Sequence, residues 1–122
     1  MSLRAPHAHE GITIPTLMFK VTLALLPAAL LGVLRANRDR VEAAVAAMGG
    51  LSMSHVEATY LAWIDARGLG VDDPVGFFEA AGVGLSNGAD FGLPGWVRLN
   101  FGCPGATLEA ALQRMEQACR QR

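Results

Sequence analysis

The sequence predicts an α+β fold: a small sheet of about three strands, mixed or antiparallel, with helices packed on it. Three observations predict it. Apolar residues recur at helical spacing over Leu34–Met48 and again over Leu108–Cys119. Two short runs rich in aromatic and branched residues, "ATYLAWIDA" and "PGWVRLNFG", alternate with the period of a strand. Glycine and proline clusters separate these runs. The order is helix, strand, helix, strand, loop, strand, helix, preceded by an apolar N-terminal helix. At 122 residues the chain has room for one domain.

Residues 1–11 read as a polar tail. Its "HAHE" tract, His7 to Glu10, lacks the rigid element and additional ligands that a metal site needs. Residues 12–33 are apolar, and the run from Ile12 to Leu34 is long enough for a bilayer, which takes about 20 such residues. Against insertion, Lys20 near the middle costs about 2.5–3.5 kcal/mol. Pro15 and Pro27 interrupt the run, and the flanking charges match no signal peptide. The segment is expected as a helix buried against another protein surface, with no membrane as partner.

Arg35 to Met48 follows as an amphipathic helix, with Leu34, Val41, Val45 and Met48 on one face. Arg38 and Glu42, four apart on the outside, form a candidate ion pair. Gly49-Gly50 ends the helix with a left-handed cap. Ala58 to Ala66 reads as a strand whose two faces are both mostly apolar, hence central and covered. In "DDPVGFFEAAG", Asp73 caps a short helix, Pro74 suits its first position and Gly82 its exit, with Val75 and Phe78 pointing inward. "VGLSNGADFGLPG" then gives a brief strand and a glycine-rich loop bearing Asn87, Asp90 and Phe91. The third strand is "PGWVRLNFG". After Pro104 a last helix aligns Leu108, Ala111, Leu112, Met115 and Cys119.

Composition narrows the function classes. A formal net charge of −1 and nine scattered arginines leave no electrostatic footprint for nucleic acid. Lys20 is the only lysine. Cys103 and Cys119 have no zinc or redox spacing and read as reduced thiols of a cytoplasmic protein. At 52% hydrophobic residues the chain is rich in apolar surface, which asks for a partner or a larger body. His55 precedes the first strand with no nucleophile at an informative spacing, and reads as a turn histidine.

The chemistry concentrates on Arg98. In the third strand Val97, Leu99 and Phe101 share a core face, while Trp96, Arg98 and Asn100 share the other. A cation there needs an anion. Guanidinium matches carboxylate or phosphate bidentately, Asn100 could add a hydrogen bond, and Trp96 could cover the site. The competing reading is an internal ion pair to Asp65 or Asp90. Residue chemistry alone leaves both open.

The stretches "LRANRDRVEA", "EATYLAWIDARGLG", "DPVGFFEAAGVGLSNGADFG" and "GWVRLNFGCPGATLEAALQRM" together bear on this choice. From Leu34 to the C-terminus, residues 34–122, the chain resembles the C-terminal small domain of pyridoxal-phosphate enzymes of the class I/II aminotransferase fold, nearest the cystathionine β-lyase branch. The resemblance implies that Arg98 binds the α-carboxylate of an amino-acid substrate. It also implies a pyridoxal 5'-phosphate cofactor, carbon–sulfur lyase or aminotransferase chemistry, and a homodimer in the full-length family. The large domain of that family carries the Schiff-base lysine and the phosphate-binding groups. "LMFKVTL" around Lys20 lacks the family's Ser-x-x-Lys-like context, and residues 12–33 lie outside the resemblance. The chain is therefore expected to be a fragment or subunit, inactive alone, whose large domain is separately encoded. The residues before Leu34 are expected to come from a truncated or frame-shifted gene or a new start. The alternatives are a non-catalytic amino-acid-binding or interaction module and a small membrane-associated protein.

Overall fold

The computed structural model describes residues 27–122. The expectations for the polar tail, the HAHE tract, Lys20 and the apolar segment up to residue 26 lie outside the described residues. Helix α1 (Pro27–Ala47) opens earlier than Arg35, with Pro27 as its first residue. Proline suits that position because the N–H it lacks has no intrahelical partner there. Leu34, Val41, Val45 and Met48 are buried as the spacing predicts, whereas Leu31 and Val33 are exposed. Gly50 follows with φ +94°. A Cβ there would meet the Gly68 carbonyl oxygen at 2.9 Å, so the turn needs glycine for space as well as for conformation.

Asn37 lies on the apolar stripe of α1, and it is 2% exposed. Its Nδ2 donates to the carbonyls of Phe101 at 2.9 Å and Cys103 at 2.7 Å. These bonds fasten α1 to the chain where it leaves the sheet. The predicted Arg38–Glu42 pair does not form as the main contact of either residue. Arg38 binds its neighbour Asp39 at 3.0 Å. Glu42 instead accepts from the Val56 N–H at 2.8 Å and meets His55 Nδ1 at 2.9 Å. A loop thus outcompetes a solvent-exposed helical pair. The His55 hydrogen bond, reinforced by Val56, lowers the Glu42 pKa below its ordinary value.

The sheet consists of β1 (Leu61–Asp65), β2 (Ser86–Asn87) and β3 (Trp96–Asn100) in the order β1-β3-β2, with both pairings antiparallel. β3 is therefore the central strand, and β1, expected in the middle, is at the edge. Beyond β1 only a bridge from Asp65 to Ser52 continues the ladder. The apolar character of its second face has another origin, since Trp63 packs edge-on against Phe91 rather than under a further layer.

One sheet face, Ala62, Ile64, Val97 and Leu99, is buried against α1 and α3 (Gly105–Gln121). Leu108, Ala111, Leu112 and Met115 complete that core, with Cys119 at its margin. Helix α2 (Pro74–Ala80) is capped by Asp73, whose Oδ1 accepts from the Gly76 N–H at 3.1 Å. Phe78 is its inward residue as expected, but Pro74 rather than Val75 is the buried companion. Among the described residues, no helix is long and apolar enough to cross a membrane, and no group of three metal-ligating side chains occurs.

Candidate functional site

The second sheet face is flanked by α2, whose Val75, Gly76 and Glu79 line a cleft together with Arg98. Arg98 stands there in the middle of β3, and the register sets Trp63 opposite it on β1 and Ser86 opposite it on β2. Directly opposed residues of antiparallel strands share a face, so three strands converge on one guanidinium. Its Nη2 lies 3.3 Å from Ser86 Oγ, a long hydrogen bond. Its Nε is buried and, among the described residues, has no partner. Five N–H bonds project from a guanidinium, and this one spends only a single donor weakly.

Two aromatic rings form a corner against one side of it. The Arg98 Cζ lies 4.7 Å from the Phe91 ring centroid and 5.8 Å from that of Trp63. The two rings meet each other edge-on at 5.4 Å and 81°. Phe91 comes from a 3-10 turn, Gly88–Phe91, that follows β2 directly. Asn87 Oδ1 accepts from the Ala89 N–H at 3.0 Å, and the Leu93 N–H donates to the Gly88 carbonyl at 2.8 Å. A Cβ at Gly88 would run into the carbonyls of Leu93 and Trp96, so this turn sits hard against the start of β3. An open cleft of about 580 Å³ receives Arg98, Ser86 and Phe91, and Asp73, Glu79 and Asp90 also line it.

The residues singled out beside Arg98 go elsewhere. Trp96 stacks with Arg67, whose Cζ is 5.7 Å from the ring, and does not cover Arg98. Asn100 is buried, and its Oδ1 accepts from the Gly102 N–H at 2.9 Å. Asp65 is taken by Arg67 at 2.8 Å, which holds its carboxyl down at about 2. Asp90 lines the cleft but forms no ion pair with Arg98. Neither internal anion therefore claims the guanidinium.

His55, exposed on the loop before β1 and held to Glu42, is a surface residue. Both thiols are free, and burial pushes Cys103 up to about 11, so it stays protonated. Trp63 and Ser86 were missed by sequence reasoning. The signal was present in the face assignment of each strand, but only the register brings those faces together.

This architecture matches known enzymes. No family model matches the chain. A protein of Mycobacterium leprae provisionally named cystathionine beta-lyase is 33% identical over 91% of this chain and 32% of its own length. The crystal structure of OvoB is 54% identical with a TM-score of 0.75, covering 77% of this chain and 25% of that one. A pyridoxal-phosphate-dependent β-cystathionase, provisionally assigned, from Corynebacterium diphtheriae is 33% identical with a TM-score of 0.71, over 75% of this chain and 26% of that one.

The chain carries a small domain of the pyridoxal-phosphate-dependent aminotransferase fold. It spans about a third of the length of the curated relatives it matches. Pyridoxal phosphate accompanies this fold in relatives named for it. The described residues of this aminotransferase-fold domain do not fit that cofactor by themselves. They include no lysine, and the sole lysine of the chain, Lys20, lies outside them.

Proposed function

We propose that this chain supplies the substrate-carboxylate arginine, Arg98, to a pyridoxal-phosphate-dependent carbon–sulfur lyase or aminotransferase of the cystathionine β-lyase branch. The large domain that would hold the cofactor is a separate partner in this reading. The single observation that carries it is that Arg98 lines an open cleft while its buried Nε finds no hydrogen-bond partner among the described residues. A carboxylate fits because its two oxygens can accept from Nε and one Nη together, in the parallel arrangement that charge-assisted pairs favour. What Arg98 contributes is orientation: with the carboxylate fixed, the rest of an amino acid projects in a set direction, and such positioning lowers the barrier of the step that follows.

The experiment follows the Nε–H resonance of Arg98 in the nitrogen-15-labelled chain, assigned by its disappearance in Arg98→Lys. An L-amino acid is titrated to tens of millimolar, the range of a weak isolated subsite. The Arg98 resonance is expected to move with the acid and to stay put with the corresponding amino-acid amide. A resonance that ignores the carboxylate, or responds equally to the amide, overturns the proposal.

A further inference from the structure

We infer that Phe91 and Trp63 are positioning residues: they clip the Arg98 guanidinium into the corner between their two rings, from one side, and take none of the N–H donors that a ligand carboxylate would use. The inference deepens the carboxylate-binding reading and names the side chains on which that site depends.

A long, flexible side chain must be restrained before it can bind at little entropic cost. The usual restraint for an arginine is a hydrogen-bonded carboxylate, as Asp65 provides for Arg67 with bonds of 2.9 and 2.8 Å to Nε and Nη2. Such a partner occupies the edge that an incoming carboxylate would need. Arg98 has no such restraint. Among the described residues its one hydrogen bond is the long one to Ser86, and its Nε is unpartnered. The contacts that hold the planar group are the two ring faces at 4.7 and 5.8 Å. A ring attracts the cation through its quadrupole without accepting a directed N–H bond in the guanidinium plane.

The two rings are unequally secured. Trp63 is part of β1, fixed by the pairing with Arg98 itself. Phe91 is 53% exposed and reaches Arg98 from the turn after β2. Asp90, the residue before it, lines the same cleft. Without the Phe91 ring the guanidinium would be free to swing onto Asp90, and an internal ion pair would then close the site. An exposed phenylalanine costs solubility and contributes little to a core, so its place over a cation is the physical reason for it.

The test compares wild type with Phe91→Ala and Phe91→Ala/Asp90→Asn, using two readouts on the full chain. The first needs no ligand: hydrogen exchange at Arg98 Nε is expected to be at least fivefold faster in Phe91→Ala/Asp90→Asn, where neither the ring nor the Asp90 carboxylate restrains the guanidinium. The second is the apparent Kd for an L-amino acid at the same resonance. Phe91→Ala is expected to weaken it at least fivefold, and the added Asp90→Asn to recover most of that loss, which a merely structural defect would not do. Unchanged exchange in Phe91→Ala/Asp90→Asn overturns the inference, as does unchanged affinity in Phe91→Ala. If wild type itself ignores carboxylates, the binding reading fails, and the exchange readout still decides the clip.

Discussion

Arg67 and Arg98 are two residues of one type, thirty-one positions apart in sequence, one just past the end of β1 and the other at the centre of β3, yet with opposite fates. Asp65 captures Arg67 because the two lie at the end of β1, where the backbone N–H of Arg67 also reaches Asp65 Oδ1 at 3.0 Å. The Arg67 side chain, through its hydrogen bonds and charge, depresses the Asp65 pKa to about 2 from the ordinary 3.8. A depressed carboxyl stabilises the fold above its unfolded pKa and loses that contribution as pH falls toward its folded one. Wild type should therefore exceed Asp65→Asn in thermal stability at pH 7, with the gap closing between about pH 4 and pH 2. Melting curves at the two extremes check it, and a gap that persists at the acid end would refute the assignment. The sequence made Arg98 conspicuous through alternation alone, because a period of two needs no tertiary knowledge. It could not choose between Trp96 and Trp63 as the covering ring. Trp96 is nearer in sequence and shares the face, but it stands opposite Asp65 in the register and so meets Arg67.

At the scale of elements, helices were legible wherever apolar spacing and end signals agreed, as in α2 with Asp73 and Pro74 or in α3 with its Leu108–Met115 stripe. What was illegible depended on pairing between elements. β1 has apolar residues on both faces, which looks like a central strand, but Trp63 is apolar for the sake of Phe91 and Arg98. Glu42 looked like a helical partner for Arg38 until a loop thirteen residues on claimed it. Asn37 carried a signal that was readable: a polar side chain three after Leu34 and four before Val41 falls on the buried stripe. Its amide holds two carbonyls at the corner after β3, and Asn100 ties the same corner from the other side. Truncation to Ala removes the amide from the Cys103 carbonyl, a loss of about 1–3 kcal/mol for a buried group, whereas the Phe101 carbonyl keeps the Cys103 N–H at 3.0 Å. Asn37→Ala should thus lower stability by about 1–3 kcal/mol. Urea denaturation measures this, and a loss below about 1 kcal/mol would show that water or a shifted backbone replaces the amide.

For the molecule as a whole, the decisive asymmetry is between the two faces of one small sheet. Helices α1 and α3 seal the first face, and Phe78 of α2 with Val83 and Leu85 completes the core. The second face presents a half-covered cation and a cleft, with Phe91 and Leu93 exposed beside them. A lyase built on this fold needs a cofactor, and the described residues offer no amine to hold it. Purified chain mixed with pyridoxal phosphate and cystathionine is therefore expected to release no pyruvate above a cofactor-only blank. Pyruvate release by the chain alone, lost in Lys20→Ala, would overturn the proposed division of labour. The complementary arm adds the large domain of the Mycobacterium leprae relative as a separate polypeptide. Any activity that appears in the mixture should fall about a hundredfold or more in kcat/KM with Arg98→Ala, since misplacing a bound substrate costs on that order. A mixture indifferent to Arg98 would mean that the open face meets its partner without presenting the arginine to substrate, and the cleft would then be a docking feature.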